Sequence, residues 1–167
     1  MILILEHLTT IISSENFQKI QSNYNSISND FHYNFYELYK LKRNGLTQED
    51  EQKLLQFLEK SAPKLKGVFI QLDKKISSQI EKIIGTTFYE KEWLSVCKLR
   101  STLEALKELY LPFLPMGELM PTDEELDQLI SERGKIEGFV EPGITPSNFP
   151  DTHWWWWKFS FTHTKSV

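Results

Sequence analysis

Between Phe17 and Leu41, apolar side chains recur in alternating steps of three and four residues: Phe17, Ile20, Tyr24, Ile27, Phe31, Leu38 and Leu41, with Asn34 in the one polar slot. That period matches the 3.6-residue turn of a helix and not the two-residue alternation of a strand. It predicts a long helix over 14–43 with a single buried stripe. Asn34 has two readings. A lone Asn in such a seam can fix register or partner. Alternatively the helix rotates slightly and Phe35 takes the inward place, which the spacing favours. Asn44-Gly45 then ends the helix, since a glycine reaches the left-handed stop without strain.

Further helices follow from the same logic. Residues 2–12 form a short one. Thr47 reads as an N-cap with Glu49, Asp50 and Glu51 in the positive first turn, and Leu54, Leu55, Phe57 and Leu58 as the apolar face behind it. Ser61-Ala62-Pro63 predicts a break, because proline suits a first turn better than an interior. The next inward face is Leu65, Phe69, Leu72, Ile76, Ile80 and Ile83, closed by Gly85. A helix over about 88–110 carries Tyr89, Trp93, Val96, Leu99, Leu103, Leu106 and Tyr110, and Pro112 and Pro115 stop it. The last starts with a capping box, Thr122 to Glu125, uses Leu126, Leu129 and Ile130 as its apolar side, and ends at Gly134.

Several amphipathic helices with short links pack most economically as a bundle. The expected fold is therefore mainly α: a single-domain bundle of about five helices over 1–134, with an irregular aromatic C-terminal segment over 135–167 packed on it. Glycines and prolines between Gly134 and Pro150 rule out a continuous helix there. After them comes DTHWWWWKFSF, with four consecutive tryptophans. Its composition is strand-like. Extended, it places Trp155, Trp157, Phe159 and Phe161 on one face and Trp154 and Trp156 on the other. Because bare apolar tails are liabilities, part of this cluster is expected to pack on the bundle.

Totals narrow the function. A net charge of −4 over 167 residues argues against a general phosphate-backbone binder. The single cysteine, Cys97, excludes an internal disulfide and a thiolate zinc site, and its apolar neighbours fit a small core residue. The opening MILILEHLTTIISS lacks a basic start and contains Glu6, so neither a signal peptide nor a membrane span is expected, and the chain reads as cytoplasmic. The four histidines, His7, His32, His153 and His163, show no metal-ligand spacing. No nucleophile elbow, phosphate loop or dinucleotide fingerprint is present. No catalytic residue, metal or cofactor is assigned. Basic residues such as Lys40, Lys64, Lys74 and Lys75 read as outward charges.

Acidic residues gather at Glu118, Asp123, Glu124, Glu125, Asp127 and Glu132 with no basic residue among them. Part of this serves a helix N-terminus, and the rest makes an acidic face suited to a basic partner. The expected function is a non-catalytic protein-binding module, most concretely a bacterial immunity protein or antitoxin that occludes a toxin. Glu124, Glu125 and Asp127 would meet the partner, and His153 with Trp154, Trp155, Trp156 and Trp157 would anchor it. Two alternatives stay open: an enzyme or small-molecule binder of unfamiliar type with an aromatic pocket at the tryptophans and His153, and a helical adaptor subunit of a larger assembly.

Overall fold

The computed structural model describes residues 1–14, 29–85, 90–120, 124–137, 140 and 143–158. Among them are seven helices: α1 (Ile2–Ser13), α2 (Asn29–Asn44), α3 (Gln48–Lys66), α4 (Phe69–Gly85), α5 (Glu90–Tyr110), α6 (Met116–Leu119) and α7 (Glu124–Glu137), followed by a single 3-10 turn at Trp154–Trp156. No strand occurs among the described residues, and none of their helices is long and apolar enough to cross a membrane.

α5 is the axis of the bundle. α2 and α4 pack along it most extensively, and α3, α6 and α7 also touch it. A helix enclosed on all sides must be buried all round. Trp93, Val96, Cys97, Leu103, Leu106 and Tyr110 are buried, and so are Arg100 within the same stripe and Ser101 and Thr102 beside it. Each of these polar groups is hydrogen-bonded, as burial demands. Thr102 Oγ1, for example, donates to Lys98 O at 2.9 Å.

α2 shows how the stripe resolves. Phe31, Phe35, Leu38 and Tyr39 are fully buried, whereas Asn34 is half-buried and donates Nδ2 to Asp30 O at 2.6 Å. Phe35 takes the inward place, and Asn34 serves its own helix. Phe17, Ile20, Tyr24 and Ile27 lie outside the described residues, as do Tyr89, Thr122 and Asp123. Gly45 ends α2 with φ +95°, and Thr47 caps α3 by accepting from Asp50 N at 3.2 Å.

Several boundaries differ from the sequence reading. α3 runs through Pro63 and breaks at Gly67-Val68 instead. Pro63 forfeits one helical hydrogen bond near the helix end, while Ser61, Ala62 and Leu65 around it are buried. Ser61 Oγ lies 2.7 Å from the buried Tyr110 hydroxyl, tying α3 to α5 across this point. Tertiary packing outweighs the local breaker. Leu55 points outward, and Ile84 rather than Ile83 is the buried residue near the end of α4. Lys75, expected outside, is buried. α7 continues through the buried Gly134 to Glu137, at a glycine cost of about 1 kcal/mol.

The tryptophan run is not a strand. A 3-10 turn has three residues per turn, so successive side chains diverge by a third of a turn and residues three apart line up. Trp155 and Trp156 therefore both face the core, 1 % exposed each, while Trp154 and Trp157 share the half-buried outer edge.

Candidate functional site

The two inward tryptophans converge on one serine. Trp155 Nε1 donates to Ser101 Oγ at 3.0 Å and Trp156 Nε1 donates to the same oxygen at 2.8 Å. A hydroxyl has two lone pairs and one proton. With both lone pairs taken, Ser101 must give its proton to its remaining neighbour, His153 Nδ1, 3.0 Å away. That fixes His153 as the neutral tautomer protonated on Nε2. Burial independently favours the neutral ring and lowers its pKa to about 4, with Arg100 adding to the effect against the opposing pull of Glu104 and Glu108.

Aromatic packing completes the cluster. The His153 ring stacks on Tyr39, with centroids 5.5 Å apart and planes 6° from parallel. Trp156 stacks on Tyr36, and Phe149 makes T-shaped contacts with Tyr36, Tyr39, His153 and Trp156. Cys97 Sγ donates to Trp155 O at 3.3 Å. The segment is pinned at both ends: Arg43 Nε donates to Asn148 O at 3.2 Å, and Lys158 Nζ donates to Ser131 Oγ at 3.1 Å. Residues 148–158 thus strap α2, α5 and α7 together.

A second polar cluster lies beside it. Arg100, 3 % exposed, donates Nε and Nη2 to the two oxygens of Asp127 at 2.6 and 3.0 Å, and Nη1 to Glu104 at 2.6 Å. Its guanidinium sits 4.7 Å from the Trp155 ring centroid. Bidentate pairing plus stacking is the arrangement in which a buried arginine is well compensated. Glu108 is held from another side, accepting from the Tyr39 hydroxyl at 2.5 Å and Lys42 Nζ at 3.1 Å.

These contacts sort the eight residues expected at a partner surface. His153, Trp155 and Trp156 are enclosed within the chain, and Asp127 is engaged by Arg100. While this packing holds, Trp155 and Trp156 are closed to a partner, His153 reaches only the wall of a cleft, and Asp127 spends its carboxylate on Arg100. Trp154 and Trp157 keep an exposed edge, with Lys158 Nζ 4.7 Å from the Trp154 centroid. Glu124 and Glu125 are exposed at the start of α7, and Glu118 and Glu132 are exposed near them in sequence. Ile136, 64 % exposed, lies one helical turn beyond Glu132.

Ser101, His153 and a nearby carboxylate invite comparison with a nucleophilic triad, but the geometry opposes one. Ser101 is wholly buried, its oxygen is saturated by two indoles, and it meets Nδ1, the nitrogen that a triad directs at its carboxylate. Cys97 is also wholly buried, and burial pushes its thiol well above the ordinary range, which opposes thiolate chemistry. Among the described residues, no three His, Cys, Asp or Glu side chains gather as metal ligands would.

Several concavities are lined by the described residues. A groove of about 580 Å³ lies between α1 and α3, lined by Leu5, Ile12 and Phe57 with Lys60 and Lys64. A cleft of about 420 Å³ is lined by His153, Glu104, Lys107 and Glu108, with Met116 and Met120. A third, of about 370 Å³, lies among α2, α4 and α5 and includes His32.

No family model, curated protein or solved structure matches the chain.

The residues that organise this region, Ser101 and Arg100, escaped the sequence reading. Arg100 interrupts the apolar stripe of its helix and Ser101 borders it, and serine and arginine ordinarily face water. The available signal was the tail itself: buried indoles need acceptors. The sequence does not say which acceptor they find.

Proposed function

We propose that the chain is a non-catalytic protein-binding module that docks a basic partner on the outer face of α7, as a bacterial immunity protein or antitoxin would dock a toxin. The observation that carries this reading is the division of labour among the acids. Asp127 turns inward to Arg100, while Glu124, Glu125 and Glu132 stand exposed and form no ion pair among the described residues. Ile136 supplies an exposed apolar anchor at the far end of the same helix, and the outer edges of Trp154 and Trp157 add aromatic surface where the 3-10 turn meets α7. Acidic groups that steer, beside a few large apolar side chains that bury, match the energetic layout of a steered protein interface.

Glu124→Lys with Glu125→Lys should leave the protein folded and helical by circular dichroism, with melting lowered by only a few degrees as the first turn of α7 loses two acids. Capture of one stoichiometric basic partner from host lysate should weaken roughly tenfold or more, most strongly at low salt. Asp127 stays unaltered in this variant, because reversing it would strand the buried Arg100. Equal capture by the intact and reversed proteins would overturn the reading.

A second reading rests on the cleft that His153 shares with Glu104 and Glu108. A small polar ligand or substrate fits that lining. The acid–base groups there are committed elsewhere, however. Burial opposes ionisation of Glu104, but Arg100 and Lys107 outweigh it and hold the carboxyl below its ordinary value. A carboxylate so stabilised is a poor proton acceptor at neutral pH.

A further inference from the structure

The cleft among α2, α4 and α5 contains a buried polar group that the fold does not use. His32 is 4 % exposed, and neither ring nitrogen has a hydrogen-bond partner among the described residues. Leaving a buried donor or acceptor unmatched costs about 1–3 kcal/mol. Among the described residues its ring meets Phe31 in a T-shaped contact with centroids 5.8 Å apart, and no side chain supplies either nitrogen with a hydrogen bond. Burial, then the charge of Lys75, keeps the imidazole neutral, so it offers one donor and one acceptor at once.

The rest of the wall has a consistent character. Tyr33, Tyr36 and Leu99 present ring and aliphatic surface, and Lys82 and Lys98 contribute two cations. No carboxylate belongs to the lining among the described residues. Lys98 Nζ hangs 5.7 Å from the Tyr36 ring centroid, where a cation is held with no acid paired to it among the described residues. A volume of about 370 Å³ suits a small organic molecule.

We propose that this cleft binds a small hydroxylated aromatic acid. The carboxylate lies toward Lys82 and Lys98, and the flat ring lies against Tyr33, Tyr36 and Leu99. The hydroxyl supplies the hydrogen-bond partner that His32 lacks, after a small movement of the cleft wall. This site is separate from the acidic face of α7 and does not depend on the protein-binding reading.

The test is an NMR titration of the full chain, observing the His32 imidazole and the amides of α2, α4 and α5. The probes are 4-hydroxybenzoate, benzoate and cyclohexanecarboxylate. Saturable shifts confined to this cleft are expected, tightest for 4-hydroxybenzoate. The Lys82→Gln/Lys98→Gln variant, altered only at the cleft edge, should keep the spectrum of the folded protein and bind roughly tenfold more weakly. His32→Phe should abolish the preference for 4-hydroxybenzoate over benzoate. No saturable shift at His32 with any probe, or binding that the double lysine variant leaves unchanged, would overturn the proposal.

Discussion

Trp156→Ala should lower the free energy of unfolding by about 3–5 kcal/mol, the range for removing a large aromatic from a packed core. Its indole is 1 % exposed, stacks on Tyr36, meets the edge of Phe149 and donates to Ser101. Deletion opens a cavity and leaves one Ser101 lone pair unmet. Trp157→Ala, at the next position but on the half-buried outer edge, should cost less, about 1–2 kcal/mol. Urea unfolding of the two variants measures the contrast directly. An extended tail would bury Trp155 and Trp157 together on one face, and would make Trp157→Ala the costlier change.

Acidification should destabilise the protein steeply between pH 6.5 and about 4, before most carboxylates titrate. His32 and His153 both have pKa values lowered from 6.5 to about 4, chiefly by burial. The sign follows from proton linkage. Above pH 6.5 both states carry neutral rings, and this stability is fully present. As pH falls, the unfolded chain takes up protons that the folded chain refuses, so stability is lost until the folded pKa is reached. Each histidine contributes roughly 3 kcal/mol to that loss. Lower still, Glu104 and Glu108 add to it. Burial opposes ionisation at both, but Arg100 and Lys107 at Glu104, and Tyr39, Lys42 and Arg43 at Glu108, hold them below 4.5. Urea midpoints across this range, with imidazole titrations by NMR, check the prediction. A midpoint unchanged down to pH 5 would contradict it.

Much of the architecture is legible in the chain because helices announce themselves by period. The stripe through Phe31 and Leu38, the glycine stop at Gly45 and the Thr47 cap are local signals, and local physics decides them. The misreadings occur where distant contacts override local preference. Pro63 and Gly134 look like ends but sit inside helices whose buried faces hold them. The tryptophans have strand propensity, yet their indole N–H groups need acceptors. One serine on α5 supplies both at a spacing that a tight turn meets and an extended chain does not. The acidic run divides for a similar reason: Asp127 lies within reach of Arg100, a pairing 27 residues apart that no local pattern predicts.

The indole hydrogens give the most direct view of the central claim, that two of the four consecutive tryptophans belong to the core through Ser101. In deuterated buffer, the Nε1–H signals of Trp155 and Trp156 should persist long after that of Trp157 has vanished. Ser101→Ala should accelerate exchange at both while leaving Trp157 unaffected. Exchange of Trp155 and Trp156 as fast as Trp157 in the unaltered protein would contradict the account and return the whole tryptophan run to the surface.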